Sequence, residues 1–149
     1  MNRISWDKYF MQVADLISKR SVCLKTQVGA VLVKDSQILS TGYNGTASGV
    51  RHCKTCTIMD IEAASNRGNC PAVHAELNAI ALAARKGICI NGSTLYVNVF
   101  CCWHCLSTLI NAGISEIVYS VDYTDNFNKD ILNQSKIVTR RINGERETF

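Results

Sequence analysis

Two short segments of this 149-residue chain carry side chains able to hold a metal and move a proton. His74-Ala75-Glu76 opens one stretch of helical periodicity, and Cys102-Trp103-His104-Cys105 opens another. A helix N-terminus offers unpaired N–H groups and a partial positive charge, which favour thiolates. Cys102 and Cys105, three apart, fall on one side of a first turn. A neutral His74 supplies a third ligand. Three protein ligands leave a tetrahedral zinc one open position for water, the mark of a catalytic rather than a structural site. Zinc lowers the pKa of bound water towards about 7, and Glu76 is placed to take the proton and pass it on to a substrate nitrogen. Alone, the cysteines read equally as core residues or half a zinc finger, and His74 as a satisfied core histidine. Their joint placement at two helix starts, with a carboxylate alongside, favours a catalytic centre.

The elements that must position these residues are legible in the periodicity. Ser5 reads as the N-cap of a helix to about Arg20, with Trp6, Tyr9, Phe10, Val13, Leu16 and Ile17 at helical spacing. Val28–Val33 and Ile38–Tyr43 read as strands joined in a hairpin at Lys34-Asp35-Ser36. Gly42–Gly49 reads as a glycine-rich loop, and Val50–Pro71 shows no period. A helix runs from His74 to a stop at Gly87, followed by a strand over Ser93–Val99. A helix over Cys102–Asn111 ends at Gly113, and Glu116–Val121 is again a strand. A helix near Asn126–Gln134 and a strand near Ile137–Arg141 close the pattern. Helices alternating with apolar strands after a hairpin predict one three-layer α/β/α sandwich around a mixed sheet, a single domain over 1–149.

Composition excludes several classes. With 47% hydrophobic and 19% charged residues, the chain is neither disordered nor fibrous. No apolar run approaches the roughly 20 residues of a membrane span, and the first ten residues lack a signal-peptide core. A soluble, intracellular protein is expected. The net charge of +4 suits an anionic small ligand. With no basic cluster longer than two residues, it argues against nucleic acid as partner. Eight cysteines in such a chain, with the close pairs Cys53/Cys56 and Cys102/Cys105, point to metal rather than disulfides.

H-x-E with P-C-x-x-C is the signature of zinc nucleobase deaminases. The chain resembles the cytidine and deoxycytidylate deaminase superfamily over Leu16 to about Tyr123, and its deoxycytidylate (dCMP) branch most closely. The resemblance lies in QVGAVLVKD at Gln27–Asp35, GYNGTASG at Gly42–Gly49, HAELNAI at His74–Ile80 and CWHC at Cys102–Cys105. Two positions depart from the pattern: Cys101 and Ala47 stand where proline is usual. Cys101 is thereby a rival thiolate, although Cys102-x-x-Cys105 fits better.

The resemblance implies a cytidine deaminase-like fold with a central five-stranded sheet, His74, Cys102 and Cys105 on zinc, and Glu76 as proton shuttle. It implies a cytoplasmic hydrolase converting dCMP to dUMP with release of ammonia, a supply of dTMP precursor. It also implies a homohexamer activated by dCTP with Mg2+ and inhibited by dTTP, the effector bound around Tyr43, Asn44 and Gly45. Asn44 is expected to hydrogen-bond the nucleotide and Tyr123 to line its site. On chemistry alone, Asn44 offers a donor and an acceptor, while Arg20 and Lys25 are cations available to a phosphate or to solvent. His52, Cys53, Cys56 and Cys70 have zinc-ribbon-like spacing and are expected to hold a second, structural zinc. Cys23 and Cys89 read as small apolar core residues. Alternatives are a deaminase acting on both dCMP and dCTP, one acting on cytosine or adenine in nucleic acid, and a zinc module without catalysis.

Overall fold

The computed structural model describes residues 3–56, 70–123 and 126–142. Helix α1 (Trp6–Ser18) starts where expected, with Ser5 Oγ accepting from the Lys8 amide at 3.2 Å. Strands β1 (Gly29–Lys34) and β2 (Gln37–Tyr43) form the hairpin. Its turn is two residues, Asp35 and Ser36, both at positive φ (51° and 60°), the conformation whose twist matches the flanking strands. Two-residue strands β3 (Gly45–Thr46) and β4 (Ala72–Val73) pair with each other. Then follow α2 (Ala75–Arg85), β5 (Thr94–Val99), α3 (Trp103–Asn111), β6 (Glu116–Val121), α4 (Asn126–Gln134) and β7 (Val138–Arg141).

The large sheet runs β2-β1-β5-β6-β7. β1 is antiparallel to both neighbours, whereas β5, β6 and β7 are parallel, the mixed five-stranded sheet the sequence predicts. Strand alternation divides the core into two layers. Ala30, Leu32, Leu95, Val97 and Ile117 face α2 and α3. Val31, Val33, Tyr96 and Val118 face Phe10, Met11 and Ala14 of α1. Among the described residues no helix is long and apolar enough to cross a membrane.

One detail of β2 bears on the site. Gly42 and Tyr43, where the expected strand and the expected glycine-rich loop overlap, belong to β2. A Cβ on Gly42 would lie 2.2 Å from the Ala75 carbonyl oxygen and 2.5 Å from the Ala79 nitrogen. This glycine therefore lets α2 lie directly on β2. At this position the absence of a side chain serves helix packing.

Candidate active site

His74 is the N-cap of α2 and Cys102 the N-cap of α3, and neither helix has a side-chain cap hydrogen bond. Positions where serine or aspartate would satisfy the first amides are occupied by ligand-type side chains, so two positive helix ends converge on one point. His74 Nδ1 lies 3.5 Å from Cys102 Sγ and 3.3 Å from Cys105 Sγ. The three ligand atoms all fall within 4.8 Å of one another, and among the described residues no other His, Cys, Asp or Glu group does so. A dication with one imidazole and two sulfurs fits this donor set, as zinc does.

The electrostatics agree. The Cys105 thiol and His74, both hydrogen-bonded to Cys102, hold Cys102 well below the usual cysteine range against its burial. Cys105 is pushed up by that same hydrogen bond and by burial, so the pair shares a proton that a cation would displace. Burial, then the charge of Glu76, then Cys102 drive the Cys101 thiol upward. Cys101 is 1% exposed and lies outside the ligand group. It is a core residue, and the group that could hold a metal takes Cys102 and Cys105.

The three ligands sit beside a cavity of about 380 Å3, whose wall includes His74, Glu76 and Cys102. Glu76 lies in the first turn of α2 and is only 3% exposed. Lys25, Asn44, Gly45 and Tyr123 line the same cavity. Tyr43 does not: it lines a second, neighbouring cavity of about 900 Å3, and its carbonyl accepts from Asn78 Nδ2 at 2.8 Å. Asn44 is committed to the backbone, its Oδ1 accepting from the Val28 amide and its Nδ2 donating to the Thr26 carbonyl, each at 2.8 Å. One Nδ2 proton is left over from these bonds.

The second cysteine cluster is not assembled as its spacing suggests. His52, Cys53, Cys56 and Cys70 all line the catalytic cavity, but no three of their ligand atoms come within 4.8 Å of one another. Residues 57–69, between Cys56 and Cys70, lie outside the described residues. Cys23 is half-buried on the cavity wall and Cys89 is exposed, so neither is the core residue expected.

Two features escape a motif search. Phe100 closes one wall of the catalytic cavity, its ring 4.7 Å from that of Tyr119; only its adjacency to the cysteine motif could have flagged it. Arg51 and Arg85 join Arg20, which the sequence offered to a phosphate or to solvent, on the second cavity. The two are far apart in sequence, and each reads alone as a solvated surface charge.

Comparison with known proteins agrees with this geometry. The model of the cytidine and deoxycytidylate deaminase zinc-binding region matches residues 4–121. ComE operon protein 2 of Bacillus subtilis is 33% identical over 145 residues, covering 95% of this chain and 74% of that protein. The deoxycytidylate deaminase of Mycobacterium phage D29 is 38% identical over 128 residues, covering 80% of this chain and 97% of the phage protein. The crystal structure of the dCMP deaminase from cyanophage S-TIM5 in complex with dCMP and dUMP shares the fold with a TM-score of 0.81 at 29% identity. It covers 95% of this chain and all of that one (100%). This chain belongs to the cytidine and deoxycytidylate deaminase family and contains its zinc-binding region.

Proposed function

We propose that this protein, as a single domain over 1–149, hydrolyses dCMP to dUMP and ammonia. The observation that carries the assignment is the placement of buried Glu76 in the wall of a nucleotide-sized cavity, beside the His74, Cys102 and Cys105 ligand set. A structural metal site has no use for that carboxylate. Zinc held by His74 Nδ1 and the two sulfurs would acidify water and so supply a nucleophile at neutral pH. Glu76 accepts a proton from the attacking water, delivers it to the pyrimidine ring nitrogen, and passes a proton to the departing amine. The N-termini of α2 and α3 favour negative charge at this end of the cavity. Asn44 holds the cavity's edge and offers its remaining Nδ2 proton to the nucleotide, Tyr123 and Phe100 bound the base, and Lys25 meets the phosphate.

Deoxycytidylate deaminase is also what the phage D29 relative is named, and the S-TIM5 enzyme is described with dCMP and dUMP. Regulation by dCTP with Mg2+ and by dTTP, in a cytoplasmic homohexamer feeding dTMP synthesis, belongs to the same proposal. Its support is the second cavity, where Arg20, Arg51 and Arg85 stand beside Tyr43 and Gly45; three guanidinium groups suit a polyphosphate. A second zinc requires His52, Cys53, Cys56 and Cys70 to draw together from where they stand.

The test is ammonia release from dCMP, dCTP, deoxycytidine and single-stranded DNA, measured side by side with metal content and oligomer mass. One zinc per chain and fastest turnover of dCMP are expected, with dCTP lowering the dCMP concentration needed for half-maximal rate. Two zinc ions per chain would establish the second site. Zinc-loaded protein inactive on all four compounds overturns the assignment.

A further inference from the structure

Residues 22–28 form an irregular strap between α1 and β1 that brings Lys25 and Thr26 to the catalytic cavity. Two carboxamides, from opposite sides, hold its end. Asn44 takes the Thr26 carbonyl and the Val28 amide. Asn98, on β5, takes the alternate positions: its Oδ1 accepts from the Gly29 amide at 3.0 Å, and its Nδ2 donates to the Gln27 carbonyl at 3.2 Å. Alternate residues bonding to opposite neighbours is the hydrogen-bond pattern of a central strand. Here side-chain amides stand in for peptide groups.

The substitution has a geometric consequence. The β1–β5 ladder ends at Ala30↔Val97, so Asn98 stands where the next rung would form. With its side chain making that rung, the β5 main chain is released to follow β6, where Val99 pairs with Val121 and the Phe100 amide donates to the Val121 carbonyl at 2.8 Å. The chain then turns into Cys102. Val28 on the strap side and Val99, Phe100 and Cys102 on the β5 side line the same cavity. Asn98 thus lets the strands part while the strap keeps its place.

We propose that Asn98 is a positioning residue for substrate affinity: its carboxamide fixes the strap so that Lys25 meets the phosphate of a pyrimidine nucleoside 5′-monophosphate. This inference rests on the dCMP assignment above. Asn98 acts through the strap, so its loss weakens binding of the phosphorylated substrate and leaves the proton-transfer machinery intact.

The experiment compares wild type, Asn98→Ala, Asn98→Asp, Lys25→Ala and the Asn98→Ala/Lys25→Ala double variant, using dCMP and deoxycytidine as substrates. Asn98→Ala loses two amide hydrogen bonds, so KM for dCMP rises about tenfold while kcat stays within about threefold and zinc content is unchanged. KM for deoxycytidine, which lacks the phosphate, moves less than about twofold on the same reasoning. Asn98→Asp keeps the acceptor for the Gly29 amide and gives an intermediate KM; it also carries the comparison if the alanine variant does not fold. In the Lys25→Ala background, removing Asn98 changes KM for dCMP no further. Equal losses on both substrates, additive effects of the two substitutions, or an aspartate variant no better than alanine would overturn the proposal. Wild-type protein inactive on dCMP would instead overturn the assignment on which it rests.

Discussion

The Asn128 side chain on α4 donates from Nδ2 to the carbonyl of Cys101 at 3.0 Å, in a fully buried contact. Cys101 stands immediately before Cys102, at a turn where proline would restrict φ. Asn128 supplies by hydrogen bonding part of the rigidity a proline ring would give. Two effects oppose each other in Asn128→Ala. Orphaning the Cys101 carbonyl costs about 1–3 kcal/mol, but Asn128 Oδ1 itself has no partner among the described residues, and removing it offsets part of that. The expected result is a modest drop in unfolding free energy with markedly faster zinc loss to a chelator. Chelator kinetics matching wild type would show that the contact does not hold the ligand turn.

Cys101→Pro separates the two readings of the cysteine run. Cys101 is buried, its thiol is driven up by burial and by the Glu76 charge, and it lies outside the ligand group. The variant is therefore expected to keep one zinc per chain and its deaminase rate, whereas Cys102→Ser and Cys105→Ser lose both. Zinc loss in Cys101→Pro alone, with the fold intact by circular dichroism, would reassign the ligand set.

The candidate site residues are readable in the sequence because their chemistry restricts residue type and their spacing is local. Histidine with glutamate two residues on, and two cysteines three apart, each need only a helix start to converge. What stays hidden is held by long-range contact. Asn98 is an ordinary polar residue on a strand, and its partners Gly29 and Gln27 are 69 and 71 residues away. Gly42 falls inside the expected strand Ile38–Tyr43, but only the approach of α2 reveals why a glycine is needed there. β3 and β4, two residues each, are too short for any period to show. The spacing of Cys53, Cys56 and Cys70 suggests a metal site, yet spacing constrains sequence distance and not the path of the chain between.

A third test concerns the clamp that ties β7 to α1. Arg140 donates to Asp7 and to Glu116, and the Tyr96 hydroxyl donates to Asp7 at 2.8 Å. The Arg140 hydrogen bond, against some burial and helped by Tyr96, holds Asp7 below the usual carboxylate range. Its stabilisation is therefore complete above the unfolded value of about 3.9 and disappears as pH falls through the lower folded value. Burial, then the bond to Asp7, raise Tyr96, so its contribution is complete below about pH 10 and disappears as pH rises through the higher folded value. Asp7→Asn should lower the urea midpoint at pH 7 and flatten its fall below about pH 4. An acid limb with the wild-type slope would mean that other carboxylates control it.

Glu76→Gln isolates proton transfer from metal binding. Glutamine matches the shape of glutamate and can still hydrogen-bond, but it cannot accept a proton at neutral pH. Glu76 is not one of the three ligand atoms within mutual reach, so zinc content should stay at one per chain. General acid–base catalysis accounts for about 10^2–10^4 in rate, and kcat should fall by that amount with little change in KM for dCMP. Glu76→Asp keeps the carboxylate and shortens its reach, so its rate should lie between the two, since a proton carrier must come within about 3 Å of the atom it serves. The ordering Glu, Asp, Gln at constant zinc is the signature of a proton carrier. A residue that merely braced the helix would instead show its loss in thermal stability, with the three rates close together.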